Sequence, residues 1–188
     1  MKKALLAVVA LLAAGCQGDD GNKSDSNAEA PKAVARGEQP KTHLLQALSG
    51  SADHKTLANA IQAAGLTETL SGAQPYTFFA PTEAAFEKLP SGAANGLLTP
   101  EAKGQLVALL TGHIVPGVVT SADLGRAIER GKGKAQLATV GGSTLSFGRE
   151  GDSIVVTDGA GGRALIAGAE RLASNGVVHS VDGVLQGK

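Results

Sequence analysis

The chain has 188 residues, 43% of them hydrophobic and 18% charged, and its seventeen basic and seventeen acidic side chains cancel. One globular domain is the default at this length, and the lack of clustered Lys and Arg beyond "RGKGK" at 130–134 excludes a nucleic-acid footprint. With no Trp, 3% aromatic residues and 26 glycines, the core must come largely from Leu, Val, Ile and Ala, in short elements joined by many turns.

In chain order, Lys2 and Lys3 come first, followed by the apolar run Ala4 to Ala14. At about 1.5 Å per residue that run is too short to cross a ~30 Å hydrocarbon core, so residues 1–15 form a signal peptide rather than a transmembrane anchor. The run ends in "LLAAGC", and Cys16 is the single cysteine. This resembles the bacterial lipobox, whose cysteine takes a diacylglyceryl thioether and becomes the mature N-terminus; Ala13 stands where that pattern usually has Leu. A thiolate suits such an alkylation, and ordinary signal cleavage with a spare thiol is the alternative. Three acyl chains, at about 0.8 kcal/mol per buried CH₂, would make the attachment to the bilayer effectively permanent. Gln17, rather than Asp, after the cysteine resembles a passenger sorted to the outer membrane of a two-membrane bacterium. The expected location is the cell envelope, with the domain facing the periplasm or the exterior.

Residues 16–41 then form a polar tether with almost no large apolar side chain to bury. About 24 such residues reach at most ~80 Å and average ~27 Å end to end. Without Lys2 and Lys3 the mature chain has fifteen basic against seventeen acidic side chains, so lipid rather than charge holds it to the membrane.

The globular part spans residues 42–188. Asp53 is placed to cap a helix whose apolar positions Leu57, Ile61 and Ala64 recur at i, i+4 and i+7, with Gly65 as its C′ residue. A strand over Tyr76 to Phe79 breaks at Ala80-Pro81, and Thr82 can cap a helix carrying Ala85, Phe86 and Leu89. Thr99-Pro100-Glu101 begins another helix, with Leu106, Val107, Leu109 and Leu110 on its buried side, and Ser121 opens one through Ile128. After Gly133 come the β-rich runs "QLATV", "STLSF", "SIVVT", "RALIA" and "GVVHSVDGVL", separated by "GG", "REGD", "DGAGG" and "ASNG". Helices early and strands late, without βαβ alternation, define an α+β domain.

Four segments together resemble the fasciclin-like domain family. "TFFAPTEAAF" at 77–86 is similar to its first signature and "SNGVVHSVDGVL" at 174–185 to its second; "LLTGHIVPGVVTSADL" at 109–124 and "DHKTLANAIQAAGLTETL" at 53–70 resemble its central and opening segments. The resemblance covers about residues 42–186 and implies a wedge of short β-strands with helices packed on it, acting as an extracellular adhesion or interaction module. It implies that the first signature strand lies beside the last strand, with Phe78 or Phe79 packing inward and Thr82 closing the turn. Thr77, Phe79, Ala80, Pro81, Thr82, Phe86, Asn175, Gly176, His179, Asp182 and Gly183 are then structural positions. His113, Ile114 and Val115 fall in the region associated with partner binding in animal members, although Gly112 stands where a Tyr is usual.

Enzyme signatures are missing from the sequence. There is no Gly-x-Ser-x-Gly elbow, no phosphate loop and no dinucleotide fingerprint, and the histidines at 43, 54, 113 and 179 show no paired ligand spacing, so no metal, cofactor or catalytic residue is assigned. Alternation places His179 and Asp182 on opposite faces of a strand, which argues against a dyad, and the "APT" corner is the expected source of donors for Asp182. The functional expectation is a membrane-tethered module that binds a protein, glycan or wall polymer; the alternative is an envelope lipoprotein that binds or hydrolyses a small molecule.

Overall fold

The computed structural model describes residues 42–89 and 96–186, so the expected signal peptide, Cys16 and the tether lie outside the described residues. At the centre is β1 (Tyr76–Pro81), a strand covered on both faces. Its sequence is nearly continuous in apolar residues, as such a strand requires. Both Phe78 and Phe79 are 0% exposed, because alternation sends one to each of two cores. The choice between them set by a one-sided strand does not arise.

β1 pairs in parallel with β8 (Gly176–Val181), from Tyr76 opposite Gly176 to Pro81 opposite Val181. The two signature segments therefore lie side by side. β2 (Ile114–Pro116) and β7 (Arg171–Ala173) close the sheet antiparallel on either side, in the order β2-β1-β8-β7. A second, antiparallel sheet follows in chain order: β3 (Lys134–Ala138), β4 (Thr144–Glu150), β5 (Ser153–Thr157) and β6 (Arg163–Leu165).

The helices α1 (Leu44–Ser49), α2 (Lys55–Ala64), α3 (Thr67–Ser71), α4 (Glu83–Glu87) and α5 (Lys103–Gly112) supply the core on one face of the first sheet. Leu48, Leu57, Ile61, Leu70 and Leu110 meet Phe78 and Val178 there. The other core joins Phe79 and Val181 to Leu145, Phe147 and Val156 of the second sheet and to Leu124 and Ile128 of α6 (Ser121–Arg130).

Several helix ends differ from expectation. Gly65 does adopt the left-handed conformation, at φ 77°, but Asp53 does not cap α2; it lies in a 3₁₀ turn, Ala52–His54. The cap comes from α4, where Glu83 accepts the Thr56 N–H and hydroxyl, each at 2.6 Å. Thr82 occupies the N-cap of α4 without using its hydroxyl, and its N–H instead donates to the Val181 carbonyl at 3.0 Å. A 3₁₀ turn, Pro100–Ala102, precedes α5, in which Leu106 and Leu110 are buried while Val107 and Leu109 are half-buried. α6 begins with a capping box of Thr120 and Asp123 and runs to Arg130 rather than Ile128.

Candidate interaction surface

The signature side chains are joined to one another and to the loop that follows β2. The Thr77 hydroxyl donates to the Gly117 carbonyl and accepts the Val119 N–H, both at 2.8 Å. His179 donates from Nε2 to the Val119 carbonyl at 2.8 Å, while its ring stacks on Phe79 with centroids 5.3 Å apart. Phe79 in turn contacts the Phe147 ring at 5.2 Å. Gly117, at φ 95°, supplies the left-handed turn that lets this loop fold back over the sheet. One strand pair thus sets the path of residues 117–120.

Asn175 ties three elements. Its Oδ1 accepts the Leu44 N–H at the start of α1, and its amide donates to the Leu70 and Gly72 carbonyls at the end of α3, all within 2.9 Å. Gly176 follows because nothing larger fits: a Cβ there would fall 2.0 Å from the Tyr76 carbonyl oxygen. Ala80 and Phe86 are buried, Ala80 opposite Ser180.

The donors for Asp182 are not those of the "APT" corner. Its Oδ1 accepts the Leu165 N–H at 2.7 Å, and its Oδ2 meets the Lys88 ammonium at 3.1 Å. The carboxylate is half-exposed rather than buried. Burial pulls its pKa up, but the Leu165 N–H and Lys88 outweigh it and hold the group below the usual carboxylate value. Gly183 lets the chain pass the Arg163 carbonyl, 2.7 Å from where a Cβ would be. His179 and Asp182 thus serve different partners and share no bond.

His113, Ile114 and Val115 are 0%, 1% and 2% exposed. The parts of this segment that meet solvent are Pro116 and Val118. His113 closes the end of α5, donating from Nδ1 to the Leu109 carbonyl at 2.8 Å and accepting the Leu185 N–H on Nε2 at 3.0 Å. Burial drives its pKa down to about 4, so it works as a neutral imidazole rather than a cation. Beside it Asp158, which sequence reasoning treated only as part of a "DGAGG" turn, accepts the N–H groups of Ala160, Gly162 and Gln186. These two side chains clamp the C-terminal segment.

Chemistry in the interior is sparse. Among the described residues no three His, Cys, Asp or Glu side chains are grouped to hold a metal ion. The Ser180 hydroxyl lies 3.3 Å from His54 Nε2, a contact with no signal in the sequence because 126 residues separate the pair. His54 Nδ1 has no hydrogen-bond partner among the described residues, and the nearby Glu83 carboxylate is bonded to Thr56. Burial, and then Arg171, hold His54 below its ordinary pKa; burial does the same for His179.

Comparison with known proteins gives a consistent picture. The family model described as Fasciclin domain matches residues 52–187. The chain is 37% identical over 142 residues to Protein sll1483 of Synechocystis, covering 76% of this chain and 72% of that protein. It is 38% identical over 147 residues to transforming growth factor-beta-induced protein ig-h3 of Sus scrofa, covering 78% of this chain but only 20% of that protein. Immunogenic protein MPB70 of Mycobacterium bovis is 33% identical over 156 residues, covering 82% and 68%. Among solved structures, a FAS1 domain pair from the insect cell adhesion molecule fasciclin I superposes with a TM-score of 0.68 at 19% identity, covering 78% of this chain and 51% of that one.

Proposed function

The chain belongs to the fasciclin domain family, and on that premise we propose that it is a non-enzymatic, lipid-anchored module of the cell envelope that binds an extracytoplasmic partner through its domain surface. One observation carries the reading: the buried signature side chains turn polar atoms to the backbone of other parts of the same chain, His179 through Nε2 while its Nδ1 has no partner among the described residues. Thr77, Asn175 and His179 each bond the backbone of a neighbouring element, which leaves the outer surface, not a cleft of convergent polar groups, for recognition. Insect fasciclin I, whose FAS1 domain pair shares this fold, is a cell adhesion molecule, which supports the same class of role. Attachment rests on the sequence around Cys16, and Gln17 favours the outer membrane.

The test begins with the anchor. Cys16→Ser should move the protein from the membrane fraction to the soluble fraction, or leave it as unprocessed precursor. Mass spectrometry should find the wild-type mature N-terminus at an acylated Cys16. An unmodified Cys16, or a mature N-terminus beyond it, contradicts the anchor, and a cross-linking pulldown from intact envelopes that recovers no partner contradicts the binding role.

A further inference from the structure

We propose that Asn175-Gly176 is a site of spontaneous deamidation that the folded domain holds shut, so that a chain left unfolded loses the ability to fold. The sequence has two Asn-Gly pairs, at 95–96 and 175–176. In such a pair the glycine nitrogen, with no Cβ beside it, is free to attack the asparagine Cγ. The N–Cγ bond forms as the Cγ–Nδ2 bond breaks, and ammonia leaves with the proton from the glycine nitrogen. Water then opens the succinimide at either carbonyl, giving aspartate, or isoaspartate with the main chain rerouted through Cβ and Cγ. The net change consumes water, releases ammonia, replaces an amide by an acid, and needs no oxidant or reductant.

The fold blocks the first step at both reacting groups. Asn175 is 7% exposed, and its side chain is fixed by the Leu44 N–H at 2.8 Å and by the Leu70 and Gly72 carbonyls at 2.9 and 2.8 Å. The Tyr76 N–H donates to the Asn175 carbonyl at 3.2 Å, which turns the other side of that peptide, the Gly176 N–H, toward Ala173, its register partner across the β7-β8 turn. With the nitrogen engaged in the hairpin and Cγ held by its three bonds, the two atoms are kept from the aligned approach that attack requires. They are released only when α1, α3 and the β7-β8 turn come apart.

The same packing makes the reactive pair obligatory and its products incompatible with the fold. Gly176 has no room for a Cβ, which would fall 2.0 Å from the Tyr76 carbonyl oxygen. Residue 175 must both accept an N–H and donate to two carbonyls. Aspartate has no N–H to offer, so it would set a buried negative charge against the Leu70 and Gly72 oxygens. Isoaspartate lengthens the main chain between Ala173 and Gly176 and shifts the pairing of Gly176 with Tyr76. Either product bars refolding, so chemistry in the unfolded chain makes unfolding irreversible.

The test holds the full-length protein, in nonionic detergent, in mildly alkaline buffer with and without guanidinium chloride and reads each asparagine by peptide mass mapping. In guanidinium, Asn175 should convert on the timescale of Asn95 in the same sample; in native buffer it should convert about a hundredfold more slowly or less. After guanidinium is removed, the refolded fraction should hold Asn175 intact, while the misfolded fraction carries aspartate or isoaspartate there. Asn175→Asp, made directly, should fail to fold or lose most of its stability in denaturant unfolding. Four results overturn the proposal: conversion at Asn175 as fast in native buffer as in guanidinium, no conversion there once Asn95 has converted, refolded molecules that carry the converted residue, or wild-type stability in Asn175→Asp.

Discussion

Gly176→Ala should abolish or nearly abolish stable folding. The added methyl would sit 2.0 Å from the Tyr76 carbonyl oxygen and 2.7 Å from Leu44 Cδ1, so β1 and β8 would have to part or α1 would have to lift. Both movements strike the same place. Tyr76 opposite Gly176 is the first pair of the parallel ladder, and the neighbouring Asn175 holds α1 and α3 through three buried hydrogen bonds. Forcing volume into a packed site and opening buried polar pairs together should cost about 4 kcal/mol or more, against a typical domain stability of about 5–15 kcal/mol. Denaturant unfolding should show the loss, and Gly148→Ala is the control. A Cβ on that second strand glycine would make only an ordinary contact, 3.7 Å from the Gly133 carbonyl oxygen, so its substitution should leave stability unchanged or slightly higher. A Gly176→Ala protein with wild-type stability contradicts the packing described for the strand pair.

Acid should weaken the domain before its carboxylates titrate. His113 is 0% exposed, and its Nε2 accepts the Leu185 N–H, so protonating that nitrogen would set two donors against each other. Burial lowers its pKa from 6.5 to about 4, with the Leu109 carbonyl and Asp158 opposing the shift. As pH falls below 6.5 the unfolded chain takes up this proton and the folded chain does not, so stability falls. The loss continues to about pH 4 and amounts to about 3 kcal/mol for His113; above 6.5 its contribution is fully present. His54 and His179 shift in the same direction, also through burial, and steepen the decline. Urea unfolding at steps from neutral pH to about 4 measures the slope. His113→Gln should be less stable at neutral pH yet show a shallower slope, and a flat wild-type profile across this window contradicts the neutral, buried imidazole.

Much of the fold was legible because its strongest signals are local. Leu57, Ile61 and Ala64 announce α2 by their spacing, Gly65 announces its end, and the β-rich runs after Gly133 mark β3 to β6, whose antiparallel pairing only the structure shows. The adjacency of β1 and β8 came from the family resemblance, since a parallel pair a hundred residues apart leaves no local mark. β2 and β7 are three residues each, and unlike β6, which lies in the β-rich run "RALIA", neither falls in a run that reads as a strand. The caps were misread for a related reason. Glu83 caps a helix whose first turn is 27 residues earlier, and Glu170 accepts the Ser121 N–H across 49 residues, so neither bond has a sequence neighbourhood. Asp158 looked like any turn residue; only the folded chain brings the Gln186 N–H to its Oδ2.

If the signature side chains build the domain while its outward surface binds the partner, His179 separates the two roles. His179→Ala removes the hydrogen bond to the Val119 carbonyl and the stack on Phe79, both made inside the domain. The direct measurement takes both readouts on this one variant: its melting temperature, and its retention on isolated envelopes at a temperature where it remains folded. The melting temperature should fall by several degrees, reflecting about 2–4 kcal/mol of lost packing and hydrogen bonding, while retention matches the wild type. An unchanged melting temperature together with lost retention would contradict this division of roles and place His179 in the binding site itself.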